Sequence, residues 1–438
     1  VDFAEAAAQR IHLGKALPIA VYIRDELAGI KGAKRVEYAG SLRRGRETIG
    51  DIDILAACDD PAAMTEAFCQ LEPVDDVIAS GETKSSVRLD SGVQVDLRIV
   101  PEDRFGAALA YFTGSKEHNV ALRERAVKRD LRLNEYGLFR SADAEDDDFD
   151  LLGVEPVAAE SEQTIYDALE LAFIPPELRE DRGEIRAAGN DKLPDLIDLG
   201  DIRCELHAHT TASDGVMSID ELAGLAAERG FHTVAVTDHS VSSAIANGLD
   251  AKRLERHIEA VREADAKHED ITILAGSEVD ILSDGRLDYP DSLLKQLDIV
   301  IASPHSALSQ ESSKATARLI KAIEHRYVHI IGHLTGRLIL KREGLSPNLK
   351  KIIKAAAAND TALEINANHW RLDLRDTHAR AAIEAGVKLA VNTDAHGPAD
   401  LDQLYFGVLT ARRAWATKKH VVNCLPAGKL KQWLKRKR

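Results

Sequence analysis

The chain has 438 residues, 45% hydrophobic and 29% charged, with 57 Lys and Arg against 72 Asp and Glu and a formal net charge of −15. That length allows two domains, each burying its own core, and that composition is expected of a soluble globular protein. No apolar stretch approaches the roughly 20 residues that cross a bilayer, and Cys58, Cys69, Cys204 and Cys424 lack the spacing of a disulfide framework or a thiolate zinc site.

A cytoplasmic location without a membrane partner is the expectation. The excess acidity lies before residue 200, which excludes a broad non-specific nucleic-acid binder, because affinity for a phosphate backbone rests on Lys and Arg. Local basic segments remain at Lys116–Arg132, with Arg123, Arg125, Lys128 and Arg129, and at Lys429–Arg438. The start, at Val1, has no basic segment leading into an apolar one, and the chain reads as a fragment without a secretory signal.

In chain order, residues 3–30 have helical periodicity, and Arg35–Ala39, Ile52–Ala56, Ser85–Leu89 and Val93–Val100 read as strands, an α+β arrangement. Residues 40–53, GSLRRGRETIGDID, end in Asp51 and Asp53, which share one face of an extended segment. Asp96 sits in another strand with apolar neighbours pointing the opposite way. Three carboxylates on adjacent strands suit two Mg²⁺ ions, one activating an attacking hydroxyl and one clamping a triphosphate. The Gly40-Ser41 turn offers backbone N–H groups and a hydroxyl to phosphate oxygens, and Arg44 offers charge neutralisation. This pattern is that of nucleotidyl transfer.

The acidic run 143–150 reads as an exposed loop tip. Pro175-Pro176, Arg182-Gly183, Gly189-Asn190 and Pro194 collect turn formers, which predicts a linker over 189–200 between domains at 1–188 and 201–438. Beyond it, apolar runs at Ile202–Leu206, Thr233–Thr237, Ile271–Ala275, Ile299–Ala302, Val328–Ile331 and Val387–Val391 alternate with helical segments at Ile219–Arg229, Lys252–Lys267, Lys314–His325 and Thr377–Ala385. This rhythm predicts a parallel barrel with catalytic groups at the strand C-termini. His207, His209, Asp214, His239, Glu278, His305, His333, Asp394 and His396 nearly all follow those runs. Imidazole and carboxylate without thiolate suit catalytic Zn²⁺, Mn²⁺ or Fe²⁺ in a multi-metal hydrolytic site.

The segments GSLRRGRETIGDIDIL, SGVQVDLRIV and FGAALAYFTGSKEHNVALRERA resemble the palm and thumb of family X DNA polymerases. ELHAHTTASDG, VTDHS, GSEVDIL, ASPHS, IGHLTGR and NTDAH resemble the polymerase and histidinol phosphatase (PHP) domain appended to the bacterial members. The resemblance implies an α+β nucleotidyltransferase palm and thumb followed by an α/β PHP domain, a distorted β/α barrel of about seven strands. It makes Asp51, Asp53 and Asp96 the Mg²⁺-binding carboxylates and puts Ser41, Arg44 and Gly50 on the triphosphate. Tyr111, Phe112 and Gly114 would line the sugar, Asn119 and Arg123 would lie near base and template, and Arg98 would pair with Asp96.

In the barrel it implies a first metal on His207, His209, Glu278 and Asp394, and a second on Asp214, His239 and His396. A third would take Glu278, His305 and His333, with Glu278 bridging, and Arg337 would bind a substrate phosphate. The implied function is repair, including base excision repair, by a monomer that fills gaps from dNTPs on gapped or 3′-recessed DNA and processes 3′ ends as a 3′-5′ exonuclease. An alternative is a histidinol-phosphatase-like small-molecule enzyme with an inactive nucleotidyltransferase. Two departures stand out: the helix-hairpin-helix and lyase-like segments that open full-length members are missing, and Cys204-Glu205 replaces a usual Gly-Asp pair.

Overall fold

A computed structural model describes residues 10–143 and 154–436, so the acidic run beyond Asp143 lies outside the described residues. The chain divides into two compact units between Pro194 and Asp195.

The first unit is built on five strands: β1 (Ala33–Tyr38), β2 (Asp51–Cys58), β3 (Val74–Ala79), β4 (Lys84–Leu89) and β5 (Gln94–Ile99), in spatial order β1-β2-β5-β4-β3. Only β2 and β5 run parallel in this sheet, and their register sets Asp53 opposite Asp96. Helix α1 (Leu13–Ala28) buries Leu13, Ala16, Ala20, Ile23 and Leu27, one stripe at helical spacing. Of the helical periodicity read over residues 3–30, residues 3–9 lie outside the described residues; Ile11–His12 pairs antiparallel with Thr48–Ile49, and α1 runs from Leu13. Helices α2 (Phe105–Thr113) and α3 (Lys116–Val127) follow the sheet, and the Ser115 hydroxyl caps α3 by accepting from the His118 N–H.

A buried carboxylate ties this unit together. Glu162 opens helix α4 (Glu162–Ala168), which Ser161 caps, and it accepts two parallel bonds from Arg43 at 2.8 and 2.7 Å and one from the fully buried Arg179 at 2.5 Å. Glu180, one residue on, pairs with Arg44 Nε at 3.0 Å and Arg46 Nη1 at 3.3 Å. The 40–46 turn is thereby pinned by two glutamates distant in sequence.

The second unit is one parallel sheet of seven strands in sequence order: β6 (Cys204–Ala208), β7 (Thr233–Val236), β8 (Thr272–Asp280), β9 (Ile299–Ser303), β10 (Ile330–Ile331), β11 (Ala362–Asn366) and β12 (Leu389–Asn392). A parallel bridge between Ala208 and Ala395 brings the last strand beside the first and closes the barrel. Helices between strands start where the sequence supplies caps: Ser218 and Glu221 form a capping box on α5 (Ile219–Glu228), and Asp250 accepts from Arg253 N on α6 (Ala251–Asp265). The strands are buried on both faces, as a sheet covered by crossover helices must be. Leu430, Trp433 and Leu434 of the C-terminal helix 427–435 pack against Leu206, Ala235, Ile301 and Ala390.

Strand β11 is absent from the six apolar runs. Glu364 and Asn366 interrupt its hydrophobicity, and both side chains serve the site described below.

Burial pushes the Glu162 carboxyl up, but Arg179 and Arg43 outweigh it and hold it at about 2, against an ordinary 4.5. The stabilisation is therefore complete above the ordinary value and is lost as pH falls towards 2. Glu162→Gln, which leaves Arg179 buried without its counter-charge, should destabilise the first unit by roughly 3–5 kcal/mol at pH 7. In chemical denaturation the gap to wild type should narrow between pH 5 and 2.

Candidate active sites

In the first unit, Asp53 is brought beside Asp96 by the parallel register, and Asp51 shares its strand face. Burial, then Asp51 and Asp96, push the Asp53 carboxyl up to about 7. The 40–41 turn lies directly on it: Gly40 has φ +63°, and a Cβ there would stand 2.1 Å from Asp53 Oδ2, so only glycine fits. Asp96 is held below its usual range; burial opposes this, but bonds from Gln94 and Ser86 and the charge of Lys84 prevail. The cation paired with Asp96 is Lys84, at 3.4 Å. Arg98, expected there, instead lies over the Phe112 ring at 4.3 Å, a cation–π contact that takes its guanidinium to the aromatic pair.

Tyr111 and Phe112 meet edge to face at 5.2 Å, and Asn119 donates to the Tyr111 carbonyl at 2.7 Å. Arg44 Nη1 donates to the Thr113 carbonyl at 2.6 Å, and its Nη1 would lie 3.2 Å from a Cβ at Gly114. Gly50 faces Arg10, whose Nη1 would stand 3.1 Å from a Cβ. Ser41 is half-buried in the turn and Arg123 is exposed on α3.

In the barrel, three groups of ligand atoms each lie within 4.8 Å of one another: His207, His209, Glu278 and Asp394; His209, Asp214, His239 and His396; and His239, Glu278 and His305. Among the described residues such groups occur only here, and the palm trio is not one of them. The expected first set is reproduced, His209 joins the second, and His239 takes the place of His333 in the third. His333 nevertheless approaches Glu278 Oε1 to 2.8 Å. Asp214, on an exposed turn, stands 3.5 Å from His239 Nε2 and 3.4 Å from His396 Nε2.

Glu278 is fully buried at the centre, with His239 Nδ1 at 2.8 Å and both His207 Nε2 and His305 Nε2 at 3.4 Å. Both its oxygens, together with His207 Nε2, His209 Nδ1, His239 Nδ1 and both ring nitrogens of His333, are buried without a hydrogen-bond partner. Buried polar atoms are otherwise paired in native proteins, and lone pairs converging in this way fit divalent cations. His333 and Asp394 also hold left-handed backbone, φ +21° and +56°, a strain that accumulates at functional sites.

Around the ligands runs a shell absent from the expected set. Glu364 accepts from His207 Nδ1 at 2.8 Å and Asp280 pairs with His305 Nδ1 at 3.0 Å, each leaving Nε2 facing Glu278. Asn366 donates to Asp394 Oδ2 at 3.0 Å. Glu205, of the unusual Cys204-Glu205 pair, accepts from His207 N at 2.9 Å and from Thr393 N and Oγ1 at 3.0 and 2.8 Å, stitching the first strand to the last; burial pushes its carboxyl up to about 7. Asp238 accepts from Thr210, Ser213 and His257 and so shapes the turn that carries Asp214. Asp280, Glu205 and Asp238 sit within two residues of predicted ligands, the one signal that could have found them. Arg337, expected on a substrate phosphate, is buried with Nε and Nη2 on the carbonyls of Arg371 and Leu372. The arginine beside the ligands is Arg371, whose Nε lies 3.8 Å from Asp394 Oδ2.

Burial lowers His209 to about 4, which keeps its ring neutral. Burial opposes protonation of His305 and His396 as well, but Glu278 and Asp280 raise the first to about 10, and Asp214 and Asp394 raise the second to about 9. A cation must displace those protons, so metal uptake at pH 7 should release protons and weaken as pH falls, measurable by titration calorimetry in buffers of different ionisation enthalpy. Glu364→Ala should cost about 10–100-fold in metal affinity in the same measurement.

Residues 108–180 match the DNA polymerase beta thumb family and residues 205–368 the PHP domain family. The DNA polymerase/3′-5′ exonuclease PolX of Bacillus subtilis (strain 168) is 41% identical over 430 residues, 98% of this chain and 73% of that protein. A probable phosphatase of Thermoanaerobacter sp. (strain X514) is 32% identical over 249 residues, 53% of this chain and 95% of that protein. Leishmania infantum polymerase beta, solved as a ternary complex, covers 40% of this chain and 78% of its own at 23% identity and a TM-score of 0.35. With that extent of identity to PolX and both families matched in order, the chain belongs to the bacterial family X DNA polymerases that carry a C-terminal PHP domain.

Proposed function

We propose that the two units divide two activities on DNA. Residues 1–188 act as palm and thumb and add nucleotides at the 3′ end in short gaps; residues 201–438, after the 189–200 linker, remove 3′-terminal nucleotides or blocking groups. The observation that supports this most is the presence of two separate carboxylate centres: the Asp51, Asp53 and Asp96 trio, and the histidine-ringed Glu278.

In the palm, the three aspartates would hold Mg²⁺, with Ser41, Arg44 and Gly50 at the triphosphate and Tyr111, Phe112, Gly114 and Asn119 at the nucleoside. The pinning of the 40–46 turn by Glu162 and Glu180 fits such a role, since a phosphate cradle works only if its donors are placed beforehand. In the barrel, His207, His209, Asp214, His239, Glu278, His305, His333, Asp394 and His396 would hold up to three Mn²⁺, Zn²⁺ or Fe²⁺ ions. When bound, such ions activate water and neutralise phosphate charge. The protein's part is to keep His209 neutral, to orient His207 and His305 through Glu364 and Asp280, and to bury His207, His209 and Glu278.

A second reading makes the barrel a phosphomonoesterase, and the 95% coverage of the Thermoanaerobacter probable phosphatase favours it. A labelled gapped duplex incubated with Mg²⁺ or Mn²⁺, with and without dNTPs, separates the two. Asp51→Ala should abolish extension and leave trimming; His209→Ala should abolish trimming and leave extension. Turnover of a phosphomonoester without release of 3′ nucleotides would sink the nuclease reading, and loss of both activities from either substitution would sink the division of labour.

A further inference from the structure

One basic stretch serves neither active site. Over residues 403–438 the sequence has ten Lys and Arg and no Asp or Glu, inside a chain whose net charge is −15. These cations are not on a loose tail. Leu430, Trp433 and Leu434 of helix 427–435, a stripe at i, i+3 and i+4, are buried with Cys204, Ile299, Ile330 and Ala362, the first residues of β6, β9, β10 and β11. The ring of His329 fixes the last turn: its Nδ1 accepts from Val300 N at 3.1 Å, and its Nε2 therefore donates to the Leu434 carbonyl at 2.9 Å. The helix thus closes the foot of the barrel, while His209, His305 and His333 follow the other ends of β6, β9 and β10. At about 3.3 Å per residue, β9 alone spans roughly 17 Å between the two ends.

The outer face of this helix carries Lys429, Lys431 and Lys435, all exposed, and Lys431 and Lys435 stand one turn apart. None of the three has an ion-pair partner among the described residues, whereas Arg436 is taken by Asp360 at 3.4 Å and Lys418 by Asp201 at 2.8 Å. Asp265 and Asp298, which line a cleft with Lys431 and Lys435, are committed elsewhere. Asp265 accepts from Ile273 N at 2.7 Å, and Asp298 accepts from Ala275 N at 3.1 Å and pairs with Arg262. No large apolar or aromatic side chain of the helix is exposed. A protein partner is held through an apolar patch at the centre of its interface, and single-stranded nucleic acid through exposed aromatic faces; this face offers neither. The phosphates of a duplex need only Lys and Arg within reach. We propose that Lys429, Lys431 and Lys435 form a sequence-independent anchor for the sugar-phosphate backbone of duplex DNA, at the end of the barrel remote from its ligands. The anchor touches no reacting group and holds the double-stranded body of the substrate. This rests on the reading of the chain as an enzyme acting on DNA and adds a contact outside both active sites.

The test uses the full chain in Mg²⁺ and a fluorescent duplex closed by a short loop at each end, which offers neither active site a 3′ terminus or a gap. Wild type should bind it with an affinity that falls steeply with salt. Lys429→Gln, Lys431→Gln and Lys435→Gln together should weaken binding on the order of tenfold at about 0.1 M salt. The slope of log K against log salt should fall by about three, close to 0.9 for each phosphate contact. Lys429→Arg, Lys431→Arg and Lys435→Arg together should retain the wild-type slope. A charge-matched control on the helix 349–359, Lys350→Gln, Lys351→Gln and Lys354→Gln, should bind as wild type does. An unchanged slope in the first variant, an equal loss in the control, or no binding by the wild type overturns the anchor. Polyglutamate that competes as well as the closed duplex, through the same three lysines, makes the partner an acidic protein surface and overturns it too. Release of 3′ nucleotides from a 3′-recessed duplex scores the nuclease reading separately. Release without lysine-dependent binding sinks the anchor alone, whereas lysine-dependent binding without release sinks the nuclease reading and leaves the anchor standing.

Discussion

A carboxylate buried to zero exposure cannot stand uncompensated, and the second unit is organised around one. Glu278 ends inside a ring of four imidazoles, from His207, His239, His305 and His333, contributed by four different strand ends or the loops after them. The desolvation cost of such a charge is several kcal/mol, so the four neighbours are placed to offset it, and His207 and His305 among them are themselves steadied by a further carboxylate. His207 leans on Glu364, His305 on Asp280, and His396 on the Asp394 carbonyl. The closed barrel makes this possible, because only a parallel sheet returning on itself brings seven strand ends to one mouth.

The first unit meets a similar demand differently. Its three carboxylates share no histidine, and the cost of burying and grouping them shows in the raised Asp53. The surroundings answer with fixed positive charge: Lys84 on Asp96, and Arg43, Arg44 and Arg46 drawn in by Glu162 and Glu180. The turn over Asp53 is thus rigid on both sides, with Gly40 touching the carboxylate and the arginines anchored behind. In each unit, residues far apart in sequence set the shape that a local motif only begins.

Much of this was legible along the chain. Period-2 spacing put Asp51 with Asp53 and His207 with His209, and the strand-then-helix rhythm of the second half carried the barrel. What stayed hidden were residues whose purpose is to hold others. Glu364 and Asn366 lie on a strand whose polar positions erased its apolar signature; Arg371 follows it on a loop; Glu162 and Glu180 lie in stretches that carry no motif. Arg337 and Arg98 meet partners that the sequence did not name, for a related reason. A guanidinium reaches several partners, and whether it meets a phosphate, a carboxylate, a ring or a carbonyl depends on what the fold sets within its arc.

The sequence by itself determined the two-part organisation, the ligand types and the strands that carry most of them, because hydrophobic period and i, i+2 geometry are local properties of the backbone. Tertiary structure alone decided which histidine joins which group, that Glu278 sits at the centre, that Lys84 rather than Arg98 meets Asp96, and that Arg371 rather than Arg337 stands at the ligands. Those choices depend on strand register and barrel closure, which join residues on different elements, His209 and Asp394 being 185 positions apart, and no local pattern encodes a distance of that kind.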